Sequence, residues 1–235
     1  MARLLNSTCP MDDHFAQQRW VMVETQLAAR GIQDPRVLDA MARVPRERFV
    51  PPLLVHLAYA NGPQSIGNGQ TISQPYIVAL MAQALRLTGT EHVLEVGCGS
   101  GYGAAVLAQL CARVVSVERD AVLCSRARAL LMSLGVHNVR VVLGDVTLGV
   151  ADEAPFSGIC VTAVGPEIPA SLVAQLAPGG RLVMPVGTLH DQQRLWLMTR
   201  DGGETLNAED LGPVRFVPLI GAEAFAEEAP APTDP

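Results

Sequence analysis

The sequence predicts an α/β fold: a Rossmann-like, doubly wound, mostly parallel sheet with an N-terminal helical layer and a closing antiparallel hairpin. Three observations predict it. From residue 92 onward, short β-branched runs alternate with helical stretches, the pattern of a parallel sheet covered on both faces. Residues 12–60 carry apolar residues at helical spacing and no strand alternation. After Pro185 the βα alternation stops, and two strand-like runs flank a polar turn, Asp201-Gly202-Gly203. With 235 residues and 49% hydrophobic content, one sizeable core is within reach. One domain over 12–220 is expected, between a flexible N-terminus (1–11) and a disordered, Ala-, Glu- and Pro-rich tail (221–235).

In the helical layer, Trp20, Val23 and Leu27 share a face, and Val37, Leu38 and Met41 repeat the spacing before the break at Pro45. A Gly-rich loop, 61–69, leads into Thr71-Ile72-Ser73-Gln74-Pro75, where Pro75 followed by Ile77, Leu80, Met81 and Leu85 marks a helix start. Parallel strands are expected at 92–96, 113–117, 139–143, 159–162 and 181–185. Helices are expected at 102–110, 120–134 and 170–176, with Asp120 as N-cap and Gly135 as the stop of the second. The closing hairpin is expected from 195–199 and 214–217.

Composition removes several function classes. The net charge is -6 and the basic residues are scattered, so no footprint for nucleic acid or an anionic membrane is present. All 17 basic residues are Arg, which excludes Schiff-base catalysis, pyridoxal-phosphate chemistry and a P-loop, each of which requires Lys. The five cysteines are odd in number and form neither a CxxC pair nor a metal-spaced cluster with histidine, as expected of reduced cytosolic thiols and no metal site. No secretory h-region or membrane-length apolar run occurs. A cytoplasmic monomer is expected.

The chemistry-bearing stretch is Val93 to Gly103, VLEVGCGSGYG. A strand ending at Glu95-Val96 runs into Gly97-Cys98-Gly99-Ser100-Gly101, where missing side chains let the backbone turn sharply and approach a ligand before a helix opens. Glu118, at the end of the next strand, is placed to accept both hydroxyls of a ribose. A dinucleotide fingerprint begun at Gly97 requires a small residue where Tyr102 stands; begun at Gly99 it matches through Ala104 but turns two residues too late. The acidic Glu95 disfavours pyrophosphate and suits an ammonium or sulfonium, both of which S-adenosylmethionine carries. The turn therefore predicts a class I methyltransferase fold. The plainer alternative is an ordinary glycine-rich βα turn with Glu118 paired to Arg119 or Arg113 at the surface. Asp145, after the third strand, is placed either to accept the adenine amino group or to cap a turn.

Four stretches together, Val44 to Pro51 (VPRERFVP), Ile66 to Pro75 (IGNGQTISQP), Val93 to Gly101 and Val214 to Leu219 (VRFVPL), resemble the protein-L-isoaspartate (D-aspartate) O-methyltransferase family. The resemblance covers about residues 12–220, and its most specific part is GQTISQP. It implies methylation of the free carboxylate of L-isoaspartyl or D-aspartyl residues in damaged proteins, giving an ester that cyclises to succinimide. It also implies that Ser73 is the active-site residue, with Thr71, Ile72 and Gln74 positioning substrate, and that Glu95, Gly97, Cys98, Gly99, Ser100, Gly101, Glu118, Asp145 and Val146 line the cofactor site. A carboxylate nucleophile is already ionised at neutral pH, so positioning rather than base catalysis is the task.

Local alternatives stand beside these assignments. Ser73 is equally suited to cap the helix that Pro75 opens. Cys98 suits packing better than nucleophilic work, and the five histidines are dispersed as in surface or structural roles. Val146 stands where the family usually has a second glycine, so its branched side chain is expected to crowd adenine. Arg215 alternates with apolar Val214 and Phe216, as on a strand's solvent face or the wall of a peptide groove. Two rival functions share the cofactor turn: a methyltransferase for another carboxylate, and a non-catalytic S-adenosylmethionine-binding module.

Overall fold

The computed structural model describes residues 10–189, 192–203 and 205–227. Helix α1 (Pro10–Met22) continues through one π turn and one 3-10 turn to Arg30, and α2 (Pro35–Arg43) follows, opened by Asp34, whose carboxylate accepts the Arg36 amide. This layer buries Met22, Leu27, Val37 and Met41 against the rest of the molecule. Next come β1 (Gln64–Gly67) and β2 (Gln70–Ile72), then α3 (Pro75–Ala84). The αβ body comprises β3 (His92–Val96), α4 (Tyr102–Ala108), β4 (Arg113–Glu118), α5 (Ala121–Ser133), β5 (Val139–Leu143), β6 (Phe156–Val161), α6 (Ala170–Ala174) and β7 (Leu176–Val186). Strands β8 (Gln193–Arg200) and β9 (Leu206–Val214) close it.

Seven strands make one sheet in the order β5-β4-β3-β6-β7-β8-β9. The strands from β5 to β7 are parallel, and β8 and β9 are antiparallel additions. β3 and β4 are buried almost throughout, which is why both read as unbroken apolar runs. Strand order reverses between β3 and β6, and the ends of these two strands form the switch point at which ligands of open α/β sheets bind. The class I methyltransferase fold expected from the sequence is the fold observed.

Four local expectations need correction. The last strand is Leu206–Val214 rather than 214–217: it is an exposed edge carrying Asn207, Glu209 and Asp210, so no apolar period marks it. Past Val214 the chain leaves the sheet, and Val164 pairs with it there, donating to the Val217 carbonyl at 2.9 Å and accepting from Leu219 at 2.7 Å. The Gly-rich loop is a small antiparallel hairpin, β1-β2, turning through Gly67, Asn68 and Gly69, all at positive φ. The start of the expected tail is a packed strap. Ala222 donates its amide to Asp145 at 2.9 Å, Glu223 accepts the Ser171 amide at 2.9 Å, and Glu227 pairs with Arg119 at 2.8 Å. Helix α1 likewise begins inside the expected flexible start; residues 1–9 and 228–235 lie outside the described residues.

No helix among the described residues is long and apolar enough to cross a membrane. No group of three or more His, Cys, Asp or Glu among them is placed to hold a metal ion.

Asp120 serves two elements. One carboxylate oxygen caps α5 through the Val122 and Leu123 amides at 2.8 and 2.9 Å, and the other accepts from Asn68 of the β1-β2 turn at 2.8 Å. Asp120→Ala should lower stability in urea unfolding by about 1 kcal/mol, the usual worth of a cap, whereas Asp120→Asn should retain most of it.

Candidate active site

The glycine turn is held from three sides. Gly97 sits at φ 92°, and a Cβ there would lie 2.5 Å from Thr162 Oγ1, whose hydroxyl donates to the Gly97 carbonyl at 2.7 Å. Gly101, at φ 87°, is the N-cap of α4 and donates its amide to the Cys98 carbonyl at 2.8 Å. Ile66 of β1 touches Gly99, where an added Cβ would come within 3.3 Å of its side chain. The backbone thus offers a close approach that side chains would block.

Glu118 is buried and anchors the turn: one carboxylate oxygen accepts the Gly99 amide at 2.8 Å, the other the Asp120 amide at 2.9 Å. Each oxygen keeps a further lone pair, so this carboxylate can receive the hydroxyls of a ribose while remaining fixed. It makes no surface pair with Arg113 or Arg119, which bind Glu153 and Glu227 instead.

Glu95 is placed differently from the expectation. It is 1% exposed beneath α4, accepts the Ser116 hydroxyl, and occupies the space where a Cβ at Gly103 would stand. Burial pushes its carboxyl up to about 8, against the Ser116 hydrogen bond that pulls it down. At neutral pH Glu95 is therefore mostly a neutral acid supporting the turn from below. The like-charge argument against pyrophosphate passes to Glu118.

The remaining turn residues divide between support and surface. Cys98 is buried and its thiol is raised well above the usual range, mainly by burial, with Glu95 adding to the rise, so it packs and does not act as a nucleophile. Ser100 lines a cleft of about 360 Å³ with Arg48, Ile66 and Arg126.

Asp145 caps a 3-10 turn, accepting the amide and hydroxyl of Thr147, while its other oxygen takes the Ala222 amide. Burial alone would raise its pKa, but these hydrogen bonds outweigh it and hold the carboxyl below its ordinary value. Val146 is 3% exposed and packs in the apolar cluster with Val117, Val161 and Leu219, so its branched side chain fills core.

On the other side of the switch point lies a groove of about 730 Å³ lined by Thr71, Ser73, Gln74 and Thr162, with Arg30, Tyr76 and the 213–217 segment as further walls. Ser73 is not the helix cap. Gln74 holds that position, without a side-chain capping bond, and the Ser73 hydroxyl engages no other described residue. Ile72 is 4% exposed and belongs to the core, because β2 alternates and turns it away from Thr71. Gln74 is tied to Asn61. Thr162 lines this groove and closes the underside of the glycine turn, so the Ser73 groove and the turn share a wall.

This arrangement has relatives. The profile of the protein-L-isoaspartate(D-aspartate) O-methyltransferase family matches residues 17–224. The chain belongs to that family. It is 53% identical over 218 residues to protein-L-isoaspartate O-methyltransferase 1 of Rhodopseudomonas palustris (strain HaA2), covering 93% of this chain and 89% of the relative. It is 52% identical over 204 residues to the protein-L-isoaspartate O-methyltransferase of Protochlamydia amoebophila (strain UWE25), covering 87% and 97%. Among solved structures, a protein-L-isoaspartate O-methyltransferase superposes with TM-score 0.77 at 28% identity, over 89% of this chain and 67% of that one. A Plasmodium falciparum beta-aspartate methyltransferase in complex with S-adenosyl-L-homocysteine does so with TM-score 0.73 at 25% identity, over 86% and 98%.

Several residues of the site were not singled out from sequence. Thr162 acts from the first position after β6, and Arg30 and Tyr76 stack at 3.8 Å in the groove wall without any local signal. The Ala222 contact with Asp145 is invisible to periodicity because it is long-range and made by the backbone.

The state of Glu95 gives a pH test. In the unfolded chain this carboxyl loses its proton near the ordinary 4.5, and in the folded chain near 8. Between those values the native state binds more protons, so the contribution of Glu95 makes stability fall as pH rises. Glu95→Gln should flatten that part of the stability-pH curve measured by thermal unfolding. An unchanged slope would show that Glu95 ionises in place.

Proposed function

We propose that this chain is a protein-L-isoaspartate O-methyltransferase: with S-adenosylmethionine as methyl donor, it esterifies the free carboxylate of L-isoaspartyl or D-aspartyl residues in damaged proteins. The observation that carries this is the shared Thr162 wall, which sets a groove bearing the unengaged Ser73 hydroxyl directly against a nucleoside-type glycine turn. Family membership and the named relatives support the same activity.

The residues fit the donor. Glu118 retains acceptor capacity for ribose hydroxyls, and the glycine turn is the bare cradle an adenosyl ligand needs. Gly97, Gly99, Ser100, Gly101 and Glu118 would hold it directly, while Cys98 and Glu95 brace the turn and Asp145 and Val146 close the adenine side through the strap. When bound, S-adenosylmethionine supplies an electrophilic methyl on a sulfonium. The chain's own work is to orient one carboxylate oxygen in line with that methyl and to keep water from between them. Hydroxyls of Ser73 and Thr71 donate to the carboxylate without removing any proton from it, and no general base is needed.

We read one methyltransferase domain across 12–220, extended by the strap, which acts as a monomer on protein or peptide substrates and not on nucleic acid or membranes.

The test is transfer of labelled methyl to an isoaspartyl peptide and its ordinary aspartyl counterpart. Strong labelling of the first alone is expected; equal labelling of both would remove the repair assignment in favour of a general carboxyl methyltransferase. Ser73→Ala should lower kcat by about 10- to 100-fold, the worth of one hydrogen bond to a charged group. Its affinity for S-adenosylhomocysteine in calorimetry should stay within about threefold of wild type.

A further inference from the structure

Arg46 heads the large side chains that are fully buried among the described residues, with 0% exposure. Its Nε donates to the Ala58 carbonyl at 2.8 Å and its Nη2 to the Ser73 carbonyl at 2.7 Å. The guanidinium carbon lies 4.8 Å from the ring centroid of Tyr102, the first residue of α4 after the glycine turn. Nη1 is buried and meets no acceptor in hydrogen-bond geometry among the described residues. No carboxylate neutralises the charge: the adjacent Glu47 is taken by Arg19 and Tyr59, and Arg46 is in none of the ion pairs of the described residues. Burial pulls the guanidinium below its usual pKa, against the opposing effect of Tyr102.

An unneutralised cation with an unmet donor is a costly way to fill a core, since an apolar side chain of similar size at such a place is often neutral or stabilising. What Arg46 touches accounts for its presence. It ties the backbone of the candidate catalytic serine to the helix that leaves the cofactor turn, across an interval that no hydrogen-bonded sheet spans.

We propose that Arg46 is a positioning residue for methyl transfer, holding the Ser73 carbonyl inward so that the Ser73 hydroxyl stays at a fixed place in the groove relative to the glycine turn. Its unneutralised charge also favours the anionic acceptor in a region shielded from water. This rests on the groove being the acceptor site.

The test compares wild type, Arg46→Met and Arg46→Lys in thermal unfolding, S-adenosylhomocysteine calorimetry and steady-state kinetics on an isoaspartyl peptide. Met fills similar space without charge or donors and leaves the Ala58 and Ser73 carbonyls unpaired, so Arg46→Met should lower Tm modestly and leave cofactor affinity within about threefold while kcat falls by about 10-fold or more. Arg46→Lys, which keeps the charge and can reach one carbonyl, should recover part of that loss. A wild-type kcat in Arg46→Met overturns the proposal. So does a loss of activity matched in both variants by falling Tm and weakened cofactor binding, the signature of a purely structural residue. Should Arg46→Met not fold, Arg46→Lys decides: reduced kcat at unchanged Tm supports the role, and unchanged kcat overturns it. Failure of wild type to label the peptide would instead remove the reading of the groove, a result distinct from labelled wild type with an indifferent Arg46→Met.

Discussion

The hydrogen bond from the Gly99 amide to Glu118 is the constraint on which the site depends. It joins the turn after β3 to the end of β4, two strands already in parallel register from His92 and Arg113 onward. A glycine-rich turn has few internal contacts and a large conformational entropy to lose. A buried carboxylate that accepts both Gly99 and Asp120 amides removes much of that freedom before any ligand arrives. The same carboxylate keeps further lone pairs free for a ligand's hydroxyls, so one side chain both fixes the turn and offers acceptors at it.

Around that turn the chain brings three segments that the sheet itself does not supply. The β1-β2 hairpin lies over Gly99 through Ile66 and is pinned to Asp120 by Asn68. The loop that follows β6 seals the underside through its first residue, Thr162. The strap after Leu219 closes over Asp145 and Ser171. Each uses a polar contact at a loop or strand end, where backbone groups lack sheet partners. A generic doubly wound sheet thus acquires a polar groove beside Thr162 and a cleft at the glycine turn, close to its switch point.

Much of this was legible in the sequence, for reasons that differ by element. β3 and β4 are buried parallel strands whose β-branched runs announce themselves, β5 at the sheet edge keeps the same β-branched composition, and the Asp120 cap and Gly135 stop of α5 follow from local backbone chemistry. β9 carries no sequence mark because an exposed edge strand need not alternate, and Gly67-Asn68-Gly69 reads as a turn without announcing the short strands that flank it. For Glu95 the sequence shows a carboxylate beside the turn but not its depth: burial beside Ser116, which pushes its carboxyl up, is visible only in the fold. The ambiguity of Ser73 was real at the level of spacing, since Ser two residues before a helix-opening Pro suits a cap. Only the assignment of the cap to Gln74 frees its hydroxyl.

The glycine turn and the groove beside Thr162 differ in the charges they present. A carboxylate acceptor and a sulfonium donor attract each other, but a free acid close to the methyl would compete with the acceptor for it and for the site's donors. Burial keeps Glu95 protonated, and backbone amides occupy Glu118, so neither carboxyl of the turn is a loose nucleophile. On the acceptor side the polarity is opposite: hydroxyls of Thr71 and Ser73 line the groove, and Arg30 and Arg215 stand in its wall without a carboxylate partner among the described residues. The groove across Thr162 from the turn thus offers donors and unpaired cations, a lining that suits an acid already ionised at neutral pH.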